Sequence, residues 1–138
     1  MSALAVQLGL AEFGLPAASV REVLRPPPVT RVPFPPPDVR GVAQVRGALV
    51  TVLDLGTRLR GMPAAATGRM VVVAGPAGEA LGLLVDRVLG LVETAAEAPP
   101  AEAEVSLPAG WLAGVAEPTP GRRVALLDLE RVLAGDDG

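Results

Sequence analysis

The side chains that could carry chemistry in this sequence are fifteen carboxylates, twelve basic residues (all of them arginine) and a few hydroxyls. Histidine, cysteine, lysine and tyrosine are absent. That removes the usual general base near neutral pH, the thiolate, the Schiff-base amine and the phenol. Ser2, Ser19 and Ser106 have no histidine or lysine to activate them. Carboxylates alone could form an acid–base pair or hold a hard cation. Asp54 and Asp128, however, each follow an apolar strand and precede a short helical pattern, where helix capping accounts for both. There is no Walker A motif and no GxGxxG, and Gly75-Pro76-Ala77-Gly78 lacks the Lys-Ser/Thr that would hold a phosphate. Without histidine the chain cannot be the phospho-accepting histidine domain of a signalling relay. The sequence reads as a non-enzyme with no cofactor and no metal site. Arginine then stands out, because its planar fork makes several directed hydrogen bonds and is enriched at interface hot spots.

Residues 41–55, GVAQVRGALVTVLDL, must position the most conspicuous arginine. Val42 and Val45 lead into Arg46-Gly47, and Leu49, Val50, Val52 and Leu53 continue beyond it. Such residues fit a pleated, half-buried surface, and Gly47 can take the positive φ of a hairpin turn. Arg46 therefore belongs at a rim. It either pairs locally with Asp38 or Asp54, as a surface pair of little worth, or anchors a partner. LGTRLRG follows as a short helical turn ending at Gly61.

The rest of the chain alternates short strands and turns. Residues 4–8 and 12–15 predict a hairpin around Gly9, and 16–19 a short connection. Residues 20–24 predict a third strand with Val20 and Leu24 on one face and Arg21 and Val23 on the other. Glu22 is expected on an exposed face between apolar neighbours, where it could meet a partner. Pro26-Pro27-Pro28, Pro33 and Pro35-Pro36-Pro37 predict a rigid, extended crossing over the surface. Strands are expected at 70–74, 81–85, 88–92, 111–116 and 123–127. Residues 93–104 read as an exposed loop, 129–133 as a final helix, and the closing GDDG as a frayed tail.

A weak internal repeat matches VREVL (20–24) with VDRVL (85–89), and TVLDLGTRL (51–59) with ALLDLERVL (125–133). It predicts one domain over 1–138, made of two small β-units. Lobe 1 is expected at about 16–61 plus the N-terminal strands, lobe 2 at about 69–128, with a C-terminal helix at 129–134 and a boundary at 61–68. Leu53 and Leu127 are expected at equivalent buried positions. With aromatic residues at 2%, the core must be aliphatic.

Residues 1–78 carry a balance of +4 and residues 79–138 one of −7, which suits partners that meet the molecule at two unlike faces. A net charge of −3 argues against general nucleic-acid binding. No apolar run reaches a membrane span and no signal peptide is visible, so no membrane insertion and a cytoplasmic location are expected.

The Val-Thr-Arg-Val-Pro stretch (29–33), then Gly-Val-x-x-x-Arg-Gly-x-x-x-x-Val-Leu-Asp-Leu (41–55), LGLLVDRVLGLVE (81–93) and RRVALLDLERVL (122–133) resemble the CheW family of bacterial chemotaxis adaptors. The resemblance runs in order along nearly the whole chain. It implies a mainly β fold of two five-stranded SH3-like barrels around a shared apolar core. It also implies an adaptor that couples the cytoplasmic tip of methyl-accepting chemoreceptors to the regulatory domain of the histidine kinase CheA. The alternative is a CheW-like scaffold in another motility or developmental chemosensory pathway. Residues matching the family's contact regions are Val20, Glu22, Val23, Arg40, Val45, Arg46 and Gly47. The family usually has Asn-Leu-Arg-Gly where Gln44-Val45-Arg46-Gly47 stands, and the 26–37 crossing is unusually rich in proline.

Overall fold

The computed structural model describes residues 2–94, 97–98 (backbone only) and 107–134. Most of the predicted 93–104 loop and the whole GDDG tail lie outside the described residues. The strands are β1 (Ser2–Leu8), β2 (Ala11–Pro16), β3 (Val20–Leu24), β4 (Val39–Val45), β5 (Ala48–Asp54), β6 (Arg69–Ala74), β7 (Ala80–Val85), β8 (Arg87–Glu93), β9 (Glu97–Ala98), β10 (Leu112–Thr119) and β11 (Arg122–Leu127). Two short helices, α1 (Leu55–Arg60) and α2 (Leu129–Ala134), follow β5 and β11. Nearly every predicted element forms within a residue or two, because apolar runs punctuated by glycine and proline leave the chain few alternatives.

The strands form two sheets, in the orders β8-β1-β2-β11-β10-β9 and β3-β6-β7-β5-β4. Leaving out β9, the two orders correspond position by position. β1–β2 and β6–β7 are antiparallel hairpins, β2–β11 and β7–β5 are parallel, and β11–β10 and β5–β4 are antiparallel. The internal repeat is therefore real in three dimensions, and β5-α1 and β11-α2 are its equivalent ends.

The lobes are not divided at 61–68. Each sheet takes its hairpin from one repeat and its other strands from the other: β1–β2 joins β8, β10 and β11, while β6–β7 joins β3, β4 and β5. The expected lobe boundaries are corrected accordingly. Burial gives the reason. β6 is apolar on both faces, with Val71 and Val73 in one cluster and Met70 and Val72 in another, so it needs cover on both sides. β1 behaves alike, with Leu4 and Val6 facing one cluster and Ala3 and Ala5 another. The largest cluster gathers Val6, Phe13 and Leu127 from one lobe with Leu55, Val71 and Leu83 from the other, a shared aliphatic core between the sheets. Each lobe keeps a smaller cluster of its own. The links from β2 to β3 and from β7 to β8 are only three residues and one residue long, so each hairpin hands the chain directly to the opposite sheet.

Leu53 and Leu127 do occupy equivalent positions, one before each capping aspartate. Leu127 is buried, but Leu53 is only partly so, packed on the rim of the shared core.

Candidate functional site

The 46–47 turn is built from its backbone. Val45 pairs with Ala48, so Arg46 and Gly47 are the only loop residues. Both have positive φ, 52° and 82°. Two positive values define the tight turn that matches the twist of the flanking strands. Glycine reaches that region freely. Arginine does so against its own Cβ, so its presence marks a position held by other contacts.

The contact is Glu22. Arg46 Nε donates to both oxygens of that carboxylate, at 3.3 Å to Oε1 and 3.1 Å to Oε2. The Arg46 side chain is 79% exposed and that of Glu22 27%. The hydrogen bond first, and the negative charge second, hold the Arg46 guanidinium above its ordinary pKa. The expected local partners, Asp38 or Asp54, are corrected: Asp38 pairs with Arg58 and Asp54 with Arg40. Sequence separation misled here. Asp38 and Asp54 lie near the hairpin's open end, whereas Glu22 stands on β3, the edge strand opposite β4, so the contact joins the two edges of the sheet and no local pattern displays it.

Glu22 lies on edge strand β3, where a register shift between Val20 and Glu22 displaces it against β6. Val23 is exposed beside it, and Val20 is half-buried against the shared core. Val45 is buried in the core of its own lobe. Arg40 reaches inward, its Nη2 donating to Asp54 Oδ2 at 2.8 Å. Of the seven candidates, Glu22, Val23, Arg46 and Gly47 present an outer surface. Arg40 is half-engaged with a buried acid, and Val20 and Val45 lie beneath as packing.

Asp54 and Asp128 cap helices, as their positions suggest. Asp54 Oδ1 accepts from Thr57 N at 2.9 Å, and Asp128 Oδ1 from Arg131 N at 3.2 Å. Asp54 also accepts from Ala64 N, which fastens the linker after α1. Among the described residues, no group of three or more acids is gathered to hold a metal, and no buried polar side-chain atom lacks a partner.

A second surface lies between the lobes. Leu8, Gly9 and Leu10 from one lobe and Gly56, Arg60 and Met62 from the other line a depression of about 260 Å³, with Leu10 and Met62 largely exposed. None of the seven candidates lines it. Asp86 secures its edge, accepting from Gly9 N at 2.8 Å and from Ala65 N at 2.7 Å. The family resemblance implies a groove between the lobes with Arg46 as its anchor, but Arg46 does not line this one. The residues that line it escape sequence reasoning because the two walls come from segments about fifty residues apart, which no local pattern joins.

The CheW-like domain model matches residues 2–137. A probable chemotaxis protein CheW of Rhizobium etli is 38% identical over 86 residues, 62% of this chain and 56% of that protein's length. The chemotaxis protein CheW of Klebsiella aerogenes is 28% identical over 133 residues, covering 94% of this chain and 80% of that protein. Among solved structures, the scaffolding protein TtCheW from Thermoanaerobacter tengcongensis superposes with a TM-score of 0.83 at 22% identity, covering 99% of this chain and 94% of that one. At that identity the last comparison speaks for the fold.

Proposed function

The chain belongs to the CheW-like domain family, and from that membership we propose that it is a non-enzymatic chemotaxis scaffold that couples methyl-accepting chemoreceptors to the histidine kinase CheA. The observation that carries the reading to particular residues is the Glu22–Arg46 pair. An exposed arginine in a left-handed turn, held by a carboxylate on the opposite edge strand of the sheet, is a preorganised anchor. Its remaining guanidinium nitrogens can donate to carboxylates or backbone carbonyls of an incoming helix. Gly47, with no side chain, lets that helix come close. Val23, the next residue of β3, exposes apolar area on the other face of that strand.

Val20, Arg40 and Val45 support this edge from beneath or beside it rather than adding contact area of their own. A cytoplasmic location accords with such partners, and no described helix is long and apolar enough to cross a membrane. The relatives that match are named as chemotaxis proteins, which favours the chemoreceptor pathway. The departure at Gln44-Val45 and the proline-rich crossing favour a divergent receptor, or a scaffold of another chemosensory pathway, as the second reading.

The test is a pull-down and kinase assay with purified CheA regulatory domain, full CheA and a receptor tip fragment. The proposal expects a ternary complex and receptor-dependent kinase activation. Binding to neither partner at micromolar concentration would sink it.

A further inference from the structure

Beside the β4–β5 hairpin, the proline-rich crossing builds a groove that involves neither Glu22 nor Arg46. Pro27, Pro28 and Thr30 form one wall, Val42, Ala43 and Gln44 the floor, and Leu49 the far side, enclosing about 440 Å³. The wall is fixed. Thr30 N donates to the Val42 carbonyl at 2.8 Å, and Val42 N to the Thr30 carbonyl at 2.9 Å. Gly41 permits that approach, since a Cβ there would stand 2.0 Å from the Thr30 carbonyl oxygen. The prolines lock φ along the rest of the wall. The groove thus exists before anything fills it, and ordering it adds little to the free energy of binding.

Its lining mixes apolar side chains with Thr30 and Gln44, and a basic residue flanks the wall in sequence on either side. Leu49 is 68% exposed on a strand that holds it there. Arg25 and Arg31 flank the wall residues in sequence, both are exposed, and neither makes an ion pair among the described residues. The nearby acids are already committed: Glu22 to Arg46, Asp38 to Arg58 and Asp54 to Arg40. In an extended, proline-governed segment, six residues span roughly 19 Å. That equals between three and four turns of α-helix.

We propose that this groove is the docking surface for an acidic amphipathic helix of a partner protein. The helix lays an apolar stripe on Leu49, Val42 and the prolines, and places carboxylates, three to four turns apart, at Arg25 and Arg31. A β-strand partner fits less well, because Thr30 already pairs with the β4 edge at Val42. The inference does not rest on the receptor-and-kinase reading, since it uses none of the residues assigned there.

The experiment titrates the full chain into a labelled synthetic helical peptide with a leucine stripe and glutamates spaced three to four turns apart. A second peptide with glutamine at each glutamate is the control. Saturable, salt-sensitive binding of the acidic peptide alone is expected. Leu49→Ser should weaken it by about ten-fold or more, and joint Arg25→Gln and Arg31→Gln should weaken it comparably and flatten the salt dependence. Arg87→Gln, exposed on β8, should change nothing. Circular dichroism checks that each variant is folded. Equal binding of both peptides, no saturable binding, or an unchanged Leu49→Ser variant would each overturn the proposal. So would sedimentation showing self-association that Leu49→Ser abolishes, because a second copy would then be the occupant.

Discussion

Arg58 Nε donates to the main-chain carbonyl of Val132 at 2.8 Å, and the two residues stand at equivalent positions of the internal repeat. The alignment of TVLDLGTRL with ALLDLERVL places Arg58 of α1 opposite Val132 of α2. The bond therefore joins the two lobes where their repeats face each other. One repeat supplies a charged fork and the other a buried aliphatic residue, so the site is equivalent in backbone but not in chemistry. Arg58 also pairs with Asp38 through Nη1 and lies over the Trp111 ring at 5.4 Å from its centroid. One side chain thus binds the proline-rich crossing, the start of β10 and the last helix.

Removing Arg58 should weaken the whole fold. Asp38 is mostly buried and would lose its cation, which for a buried pair broken on one side amounts to roughly 3 kcal/mol. Arg58→Met keeps the stem over Trp111 but not the fork. Urea unfolding should show that loss for Arg58→Met, and a smaller one when Asp38→Asn is added, since the stranded charge is then gone. If the double variant is no more stable than the single, Asp38 is solvated and the clamp is weaker than its geometry implies.

The two capping aspartates offer an internal comparison. Asp54 is nearly inaccessible and accepts from Thr57, Ala64 and Arg40, while Asp128 is partly exposed and caps with one longer bond. Losing a cap alone costs about 1 kcal/mol, and stranding buried donors adds about 1–3 kcal/mol. Asp54→Ala should therefore destabilise clearly more than Asp128→Ala. Thermal unfolding of the two variants compares them directly, and equal midpoints would mean that the Ala64 and Arg40 contacts contribute nothing.

Leucine truncation tests the shared core in the same paired way. Leu127→Ala opens a filled site and should cost about 2–5 kcal/mol. Leu53→Ala, at the partly exposed equivalent, should cost less, because solvent reaches the space left behind. Chemical denaturation that ranked them in reverse would place Leu53 in the core after all.

The contrast between these leucines also shows what was legible in the sequence. Strand positions, turns, caps and the repeat follow from local patterns, and local patterns are what a sequence displays. Which hairpin joins which sheet is not local. Val71 and Met70 declare that β6 is buried on both faces, but not that the second face belongs to the other repeat's strands. The same limit applies to the candidate site. Arg46 and Glu22 could each be singled out, yet their pairing depends on β3 closing the edge of a sheet whose interior strands, β6 and β7, come later in the chain. The Arg58 clamp had no signal at all, since an arginine in LGTRLRG looks like any solvated helix residue.

The Glu22–Arg46 pair separates a structural from a binding role. A pair this exposed contributes little to folding, so Arg46→Ala and Glu22→Ala should each leave the circular dichroism spectrum and melting temperature nearly unchanged. Receptor-dependent activation of CheA should nevertheless fall in both, because the anchor is lost in one and released from its orientation in the other. Arg46→Lys restores charge without the fork, and the three donors of an ammonium share one freely rotating nitrogen in place of a fixed plane, so it should rescue poorly. The decisive variant exchanges the residues, Glu22→Arg with Arg46→Glu. The internal pair can re-form, but the cation now stands on β3 and the carboxylate at the turn. If partners read the arginine at the turn, coupling stays low although the pair is intact. If the pair serves only to hold the β3 edge against the hairpin, the exchange restores coupling, and the partner's anchor must be sought on another face.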